Sequence, residues 1–577
     1  MGVIGSFVME HFGTLAWVVP ALLTVAWYIY LWTRHARLPP GPLPYPVVGN
    51  LFTLRASEKS SHFKLLEMGK KYKGIFTLFI GDQPTVWLTS FKHFREAFVQ
   101  RGWDCAGRPP EMMIPGLSRE NYPTLAFAGI TPVDKEVHKF VLTSLKSTGF
   151  VDQKMQERVI EEVGFLVEAF QRHDGEAFDP RSYLANATAN SIASILFGRR
   201  FDYDDEEFQT VIRSYSRSID LFMDSKMDEA FPILKWIPRK SRKECMDGFY
   251  LVTEFMRQKV RENAETWVKG MARNFMDVWM DRQSEVRSAL EGEAFAMERL
   301  PIAMLALFIA GYETSTLTLT WLLAILLRKP DVQYRMQMEI DEMVGRNTPI
   351  TLDYRDDLPY TEAVVLETMR MFPGGPIGIP HYTEVDTTIA GYAIPKGTRL
   401  VAHLFSIHYD PSLWEAPHKF RPERFIVDGQ LRVPEAFVAF SAGKRACIGE
   451  RVARANLFLT VANLMQRVSV HPPADDDLPS LDIQSNGFAI TMSQRPFQME
   501  VEVRCDTLDG RFLHRRSTVW PSEYIPPRRQ SSMTSTGTGA GVMVNGGKGK
   551  RMSDLAGGKA ARVSFQEEEE HIPGAPQ

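Results

Sequence analysis

Two long apolar runs dominate the pattern of hydrophobic and polar positions, and their polar punctuation separates them. The first, residues 13–32, holds no charged side chain. It matches the roughly 20 residues a helix needs to span a bilayer, so the pattern predicts a transmembrane anchor. Trp27, Tyr28, Tyr30 and Trp32 crowd one end, as an interfacial aromatic belt does. Arg34, His35 and Arg37 follow at once and Glu10 precedes, which predicts that the body after the anchor faces the cytosol. A cleaved signal peptide would need basic residues before the run and small residues after it; neither is present. Residues 38–46 carry five prolines, which stop a helix and favour a semi-rigid extended hinge.

The second run, residues 301–327, ends at Arg328-Lys329-Pro330. By hydropathy alone it could cross a membrane too. Its centre argues otherwise: Ala310-Gly311-Tyr312-Glu313-Thr314-Ser315-Thr316 places one carboxylate and three hydroxyls at mid-length. Lipid would penalise Glu313 by a few kcal/mol. The pattern therefore predicts a helix through the core of a large soluble body, with a buried polar site halfway along. Thr and Ser hydroxyls can bond back to preceding carbonyls and open a groove there, wide enough for a water chain.

Shorter elements follow the same logic. Glu450 opens a partly apolar helical run towards Val468, while Glu367 and Arg370 stand three apart on one helix face. Gly391-Tyr392-Ala393-Ile394-Pro395-Lys396-Gly397-Thr398 reads as strand, turn and strand. From about Thr507 the composition shifts to Gly, Ser, Arg and Lys, then to Glu567-Glu568-Glu569-Glu570. Residues 507–577 cannot bury enough apolar surface to order themselves, so a disordered tail is expected.

Composition changes this picture little. A length of 577 residues would allow several domains, and a net charge of −3 gives no reason to expect a nucleic-acid partner. The four cysteines, Cys105, Cys245, Cys447 and Cys505, are scattered without paired spacing, which points to a reducing compartment.

The candidate chemistry lies in Phe440-Ser441-Ala442-Gly443-Lys444-Arg445-Ala446-Cys447-Ile448-Gly449. Cys447 stands just before a helix N-terminus, where the dipole and free N–H groups favour a thiolate. Arg445 adds positive charge nearby, and Gly443 and Gly449 permit close backbone approach and unusual dihedrals. A lone cysteine is most often inert. Yet a thiolate without a second ligand at metal-finger spacing suits a single axial bond to haem iron.

The pattern Phe-x-x-Gly-x-Arg-x-Cys-x-Gly resembles the haem-binding loop of the cytochrome P-450 family, the haem-thiolate monooxygenases. The likeness runs from about Leu38 to Arg504, and the proline hinge is similar to that of microsomal members. It implies a mainly α fold with small β-sheets, one catalytic domain over residues 47–504, haem b bound through Cys447, and O2 as co-substrate. Phe440, Gly443, Arg445 and Gly449 would shape the haem loop. The central helix resembles the oxygen-activation motif, which implies that Thr314 assists oxygen activation and Glu313 relays protons. Glu367, Arg370 and Arg424, the last in Phe420-Arg421-Pro422-Glu423-Arg424-Phe425, match a buried charged network. His381 matches a haem-propionate ligand.

One departure stands out. Where the family carries Trp-x-x-x-Arg, this chain has Asp134 and His138, leaving His138 as a pH-sensitive partner for a propionate. By resemblance, the loop 111–128, Phe308, Ala310, Ile377 and Phe488 would line the pocket for a hydrophobic small molecule. NADPH would supply electrons through a flavoprotein reductase docked on Lys139, Lys146, Lys444, Arg445 and Arg451. The implied location is the endoplasmic reticulum membrane, single-pass. A haem-thiolate isomerase or dehydratase, which needs neither O2 nor reductase, is the alternative, and a non-enzymatic haem sensor a more distant one.

Overall fold

The computed structural model describes residues 12–46, 48–55, 61–81, 83–109, 125–147, 153–225, 239–473, 478–481 and 491–504. The expected tail 507–577, most of the loop 111–128, and Phe488 lie outside these residues. The architecture is mainly helical with small sheets.

Both apolar runs are helices. The first forms α1 (Phe12–His35), whose Trp17, Leu22, Leu23 and Ile29 are exposed. Tyr28 Oη donates to the Pro44 carbonyl at 2.9 Å, tying the proline hinge to the anchor helix. Next come α2 (Leu51–Arg55) and α3 (Ser61–Lys71). The hairpin of β1 (Ile75–Ile80) and β2 (Gln83–Leu88) leads to α4 (Phe91–Arg95), which widens into a π-helical turn at Glu96–Gln100.

A helical half then runs through α5 (Pro132–Ser147), α6 (Gln153–Gln171), α7 (Arg181–Leu196), α8 (Glu206–Ser225), α9 (Lys240–Ala264), α10 (Phe275–Ser284) and α11 (Ala289–Ala294). The second apolar run is α12 (Leu300–Arg328), buried along most of its length among α7, α9 and neighbouring helices. A helix apolar on every side needs protein on every side, and the surrounding helices supply it. Gly311 lets α7 come close: a Cβ there would lie 2.6 Å from Ile192 Cδ1.

The chain continues through α13 (Pro330–Met343) and α14 (Pro359–Met371) into a second, β-containing part. After β3 (His381–Tyr382) and β4 (Thr387–Ile389), β5 (Tyr392–Ile394) and β6 (Arg399–Ala402) give the strand, turn and strand expected there, β6 starting one residue late. The main sheet has the order β1-β2-β6-β3, with β2 parallel to β6 in the register Thr85↔Arg399 to Leu88↔Ala402. A short helix, α15 (Leu404–His408), and the hairpin β7 (Ile426–Val427)–β8 (Gln430–Leu431) follow. The cysteine loop then delivers the chain into α16 (Glu450–Arg467), and β9 (Val468–His471) pairs with β10 (Glu500–Val503). Helix α16 packs against α6, α12, α13 and α14, so the loop before it is held from the core side.

Candidate active site

The loop that carries Cys447 is shaped by its backbone. The N–H of Cys447 donates to the Phe440 carbonyl at 2.9 Å, closing the loop on itself, and Gly449 precedes α16 as its cap. Gly443 has φ +80, and a Cβ there would sit 1.8 Å from the Phe98 carbonyl oxygen. No side chain fits. Gly449 behaves differently from expectation: its φ is −92, open to any residue. The left-handed conformation falls instead on Ser441, at φ +59.

Cys447 is exposed. Burial of its surroundings pushes its pKa up, while the backbone N–H groups of Gly449 and Glu450 pull it down. The expected thiolate preference is thus half right: the helix mouth acts as foreseen, but desolvation outweighs it. Arg445 does not help the sulfur. Its guanidinium turns away to the carbonyls of Ala106 (2.9 Å), Ala128 (2.8 Å) and Gly129 (2.6 Å).

Midway along α12, Ala310 and Thr314 are exposed although most of the helix is buried. Four residues apart, they share one face. The Thr314 hydroxyl donates to the Ala310 carbonyl at 2.7 Å, and Thr316, Thr318 and Thr320 bond back in the same way. Gly374 faces this spot, since a Cβ on it would lie 3.3 Å from Thr314 Cβ. Glu313 turns elsewhere. Burial pushes its pKa up to about 7, and the carboxylate of Asp220 on α8 adds to the shift. Asp220 was not visible as a partner in the sequence, because 93 residues separate the two. Phe308, expected in the pocket, is core: it is buried, stacked on Tyr312 at 5.8 Å and edge-on to Phe208.

Four basic groups converge on the other side of the cysteine loop. His381 Nδ1 lies 2.7 Å from the Cys105 carbonyl, which can only accept, so Nδ1 carries the proton; the ring stacks on Phe98 at 4.0 Å. Arg108 donates to the carbonyls of Ala126 (3.0 Å), Ile379 (3.2 Å) and Pro380 (3.0 Å). Burial lowers its pKa to about 9, and the charge of Arg445 adds to this. Burial likewise lowers His138 and His381, with Arg445 contributing to both and Arg108 to His381. Carbonyls therefore hold these guanidiniums in place, and the carboxylates of Asp134 and Glu384 lie close enough to Arg445 to favour its charged form. Asp134, one turn before His138, is engaged by the Thr131 hydroxyl at 2.7 Å and lies 4.0 Å from Arg299. Sequence reading passed over Arg108, whose only signal was its place in Gly107-Arg108-Pro109.

The charged network forms one cluster. Arg370 Nε and Nη2 grip Glu367 at 2.7 and 3.0 Å, and its other donors reach the carbonyls of His408 (2.7 Å) and Pro417 (2.8 Å). Arg424 Nε and the Arg421 backbone N–H share Glu367 Oε1 at 3.0 and 2.9 Å. Glu367 and Arg370 are wholly buried and fully partnered, the condition under which a buried ion pair is tolerated.

An exposed thiol at a helix mouth, small residues at the exposed middle of a buried helix, and a largely buried basic cluster suit a flat, dianionic iron porphyrin. The donor set fits haem. In class, then, the frame and the site are those of a haem-thiolate oxidoreductase. Comparison with known proteins supplies the family: the Cytochrome P450 family model matches residues 39–501, so the chain belongs to the cytochrome P450 family, as a cytochrome P450 monooxygenase that uses haem iron and O2. It is 33% identical over 509 residues to Cytochrome P450 2U1 of Homo sapiens, covering 84% of this chain and 92% of that protein. It is 32% identical to Cytochrome P450 2J2 of Homo sapiens over 77% of this chain and 88% of that one. The likeness to Cytochrome P450 2F2 of Mus musculus is also 32%, over 81% and 94%.

Proposed function

We propose that the chain is a membrane-anchored monooxygenase for hydrophobic small molecules such as steroids, fatty acids or xenobiotics, drawing electrons from NADPH through a flavoprotein reductase. One oxygen atom of O2 enters a C–H or C=C bond of the substrate and the other leaves as water; NADPH gives up two electrons, and its hydride equivalent and one proton complete the water. The observation that carries this reading is the exposed Ala310–Thr314 face on a buried helix that packs against the helix opened by Cys447.

Cys447 Sγ would hold the haem iron, and Arg108, His138, His381 and Arg445 would hold the propionates. Bound there, haem supplies the redox chemistry of O2 reduction, with the thiolate pushing electron density that favours O–O cleavage. The chain's own residues do the rest. Phe440 and Gly443 hold the loop so that the sulfur keeps its direction. The Thr314 hydroxyl, already a donor to Ala310, fixes the polar end of the pocket. Glu313, titrating near neutrality, can take up and pass on a proton at physiological pH. This pair favours oxygen chemistry over an isomerase or dehydratase, which has no protons to deliver to O2. Glu367, Arg370 and Arg424 act structurally, fixing the segment that leads to the loop.

The exposed apolar helix α1, with cationic residues at its C-terminal end, supports a single-pass anchor in the endoplasmic reticulum membrane and a cytosolic catalytic body. The test is the carbon-monoxide difference spectrum of the reduced full-length protein beside Cys447→Ala. A thiolate-type Soret shift in the wild type that disappears in the variant is expected. A histidine-type spectrum in both would remove Cys447 from the iron.

A further inference from the structure

Asp134 stands where the family pattern has a tryptophan, and its surroundings are arranged around a charge. It lies in the first turn of α5 and is 8% exposed. Thr131, just before the helix, accepts the Asp134 N–H at 3.1 Å and donates its hydroxyl to Asp134 Oδ2 at 2.7 Å, as a helix cap does. Oδ1 lies 4.0 Å from Arg299, the residue before α12, and that guanidinium also meets Glu293 at 3.6 Å. A cavity of about 20 Å³ remains beside Asp134 and Arg299, walled by Ala128, Val137, Trp279, Ile302 and Ala303. It has room for about one water and far too little for an indole. The tryptophan has therefore not simply been lost with a hole left behind; a carboxylate has been packed in its place.

This carboxylate faces the basic cluster. A Cβ on Gly129 would lie 3.4 Å from Asp134 Oδ2, and the carbonyl of that same Gly129 accepts from Arg445 at 2.6 Å. Asp134 and Glu384 are the acids whose charge favours the Arg445 guanidinium. One turn beyond Asp134, the half-buried His138 shares its helix face. Burial and the charge of Arg445 keep the His138 ring neutral at physiological pH, and His381 is neutral for similar reasons. Two guanidiniums, Arg108 and Arg445, thus meet two carboxylates, Asp134 and Glu384, while Arg299 is matched by Glu293. A dianion entering the cluster finds no excess of positive charge. Tryptophan at position 134 and arginine at 138 would have given an excess of two.

We propose that Asp134, with His138 in place of an arginine, holds the haem iron at a lower reduction potential than the Trp-x-x-x-Arg pattern would, by cancelling the positive charge beside the propionates. Asp134 is in this sense a positioning residue, acting through Arg445. This rests on the haem-thiolate reading above, with the propionates at this cluster. The physical case is Coulombic. One-electron reduction of ferric haem adds a negative charge, and a carboxylate set among buried groups opposes that addition more strongly than an exposed, screened one. The same repulsion acts on the propionates, so the charge that depresses the potential also loosens the haem. Capping α5 does not require the acid, because an asparagine oxygen accepts the Thr131 hydroxyl equally well. What separates Asp134 from its polar isostere is the charge.

The experiment is a spectroelectrochemical titration of the substrate-free, full-length haem protein, reduced by dithionite through mediator dyes. It compares wild type with Asp134→Asn, His138→Arg, the double variant and Thr131→Ala. At a fixed applied potential, the ratio of ferrous to ferric haem is expected to rise about threefold or more in each of the first two variants, and further in the double. Thr131→Ala, which loses the cap but keeps the charge, should titrate as wild type. Transfer of haem to excess apomyoglobin should be slower from Asp134→Asn than from wild type. An unmoved potential in Asp134→Asn would overturn the proposal, and so would an equal shift in Thr131→Ala, which would make the role structural. Faster haem loss from a folded Asp134→Asn would overturn it too. Should that variant not fold, His138→Arg decides, and an unmoved potential there counts against the proposal. A wild type without a thiolate-type carbon-monoxide spectrum would overturn the haem reading itself; a normal spectrum with unmoved potentials would overturn this proposal alone.

Discussion

At the scale of single residues, Glu313 shows how position changes chemistry. A glutamate on an exposed helix titrates near its ordinary value; here burial and Asp220 raise it to about 7. A carboxyl whose folded pKa lies above its unfolded one costs stability in its charged form. The penalty is absent below the unfolded value of 4.5, grows between that value and 7, and is complete above it. Glu313→Gln should therefore raise the melting temperature at pH 8, through a stability gain of at most about 3 kcal/mol, and change it far less at pH 5. Equal shifts at both pH values would mean that the glutamate does not titrate in this range. Turnover should move the other way, with the variant consuming NADPH while yielding less product. Cys447 is the counterpart. Its helix-mouth setting is legible in the sequence, since a dipole follows from local secondary structure, but the burial that opposes it comes from segments far along the chain. The direction of Arg445 was hidden for the same reason: a single residue separates it from Cys447, yet its hydrogen-bond partners are Ala106, Ala128 and Gly129.

At the scale of elements, the site depends on how firmly the cysteine loop is held. Two devices hold it. One is steric: Gly443 combines a positive φ with backbone contact to Phe98, so Gly443→Ala must displace the π-helical segment or the loop. Loss of the thiolate-type spectrum at unchanged expression is the expected result, and a normal spectrum would show that the loop can yield. The other is electrostatic. Glu367→Gln removes the charge between two buried guanidiniums, and an uncompensated buried charge costs about 3–5 kcal/mol. Chemical denaturation should show that loss together with haem release, with no change in substrate preference in whatever fraction still binds haem. Periodicity had placed Glu367 and Arg370 on one face, but such pairs occur on many surface helices. Only the approach of Arg424 and the carbonyls of His408 and Pro417 makes this one a core feature. The helices α12 and α16 were legible almost to the residue, since apolar content and the glycine turn mark their ends. Asp220 and Arg108 were not, because neither carries a local pattern that announces its partner.

At the scale of the whole molecule, the two apolar runs pose one question with two answers. Both are long enough to span a bilayer, and what separates them is the company each keeps. Helix α12 has polar residues at its middle and protein packed around it, so its apolar surface is already covered. Helix α1 leaves Trp17, Leu22, Leu23, Val25 and Ile29 exposed, an apolar surface that fits the proposed membrane anchor. Its tie to the body is the hinge, where Tyr28 reaches Pro44. The anchor should then be separable from the chemistry. Removing residues 1–37 is expected to move the protein from the membrane pellet to the soluble fraction at high salt while keeping its carbon-monoxide spectrum. For a hydrophobic substrate the apparent KM should rise, because the enzyme no longer draws on substrate concentrated in the bilayer, while kcat with saturating reductase stays close to the parent. A truncated chain that still pellets with membranes through an alkaline wash would place a second membrane contact on the body itself. Loss of haem on truncation would instead show that the hinge belongs to the fold and not only to the tether.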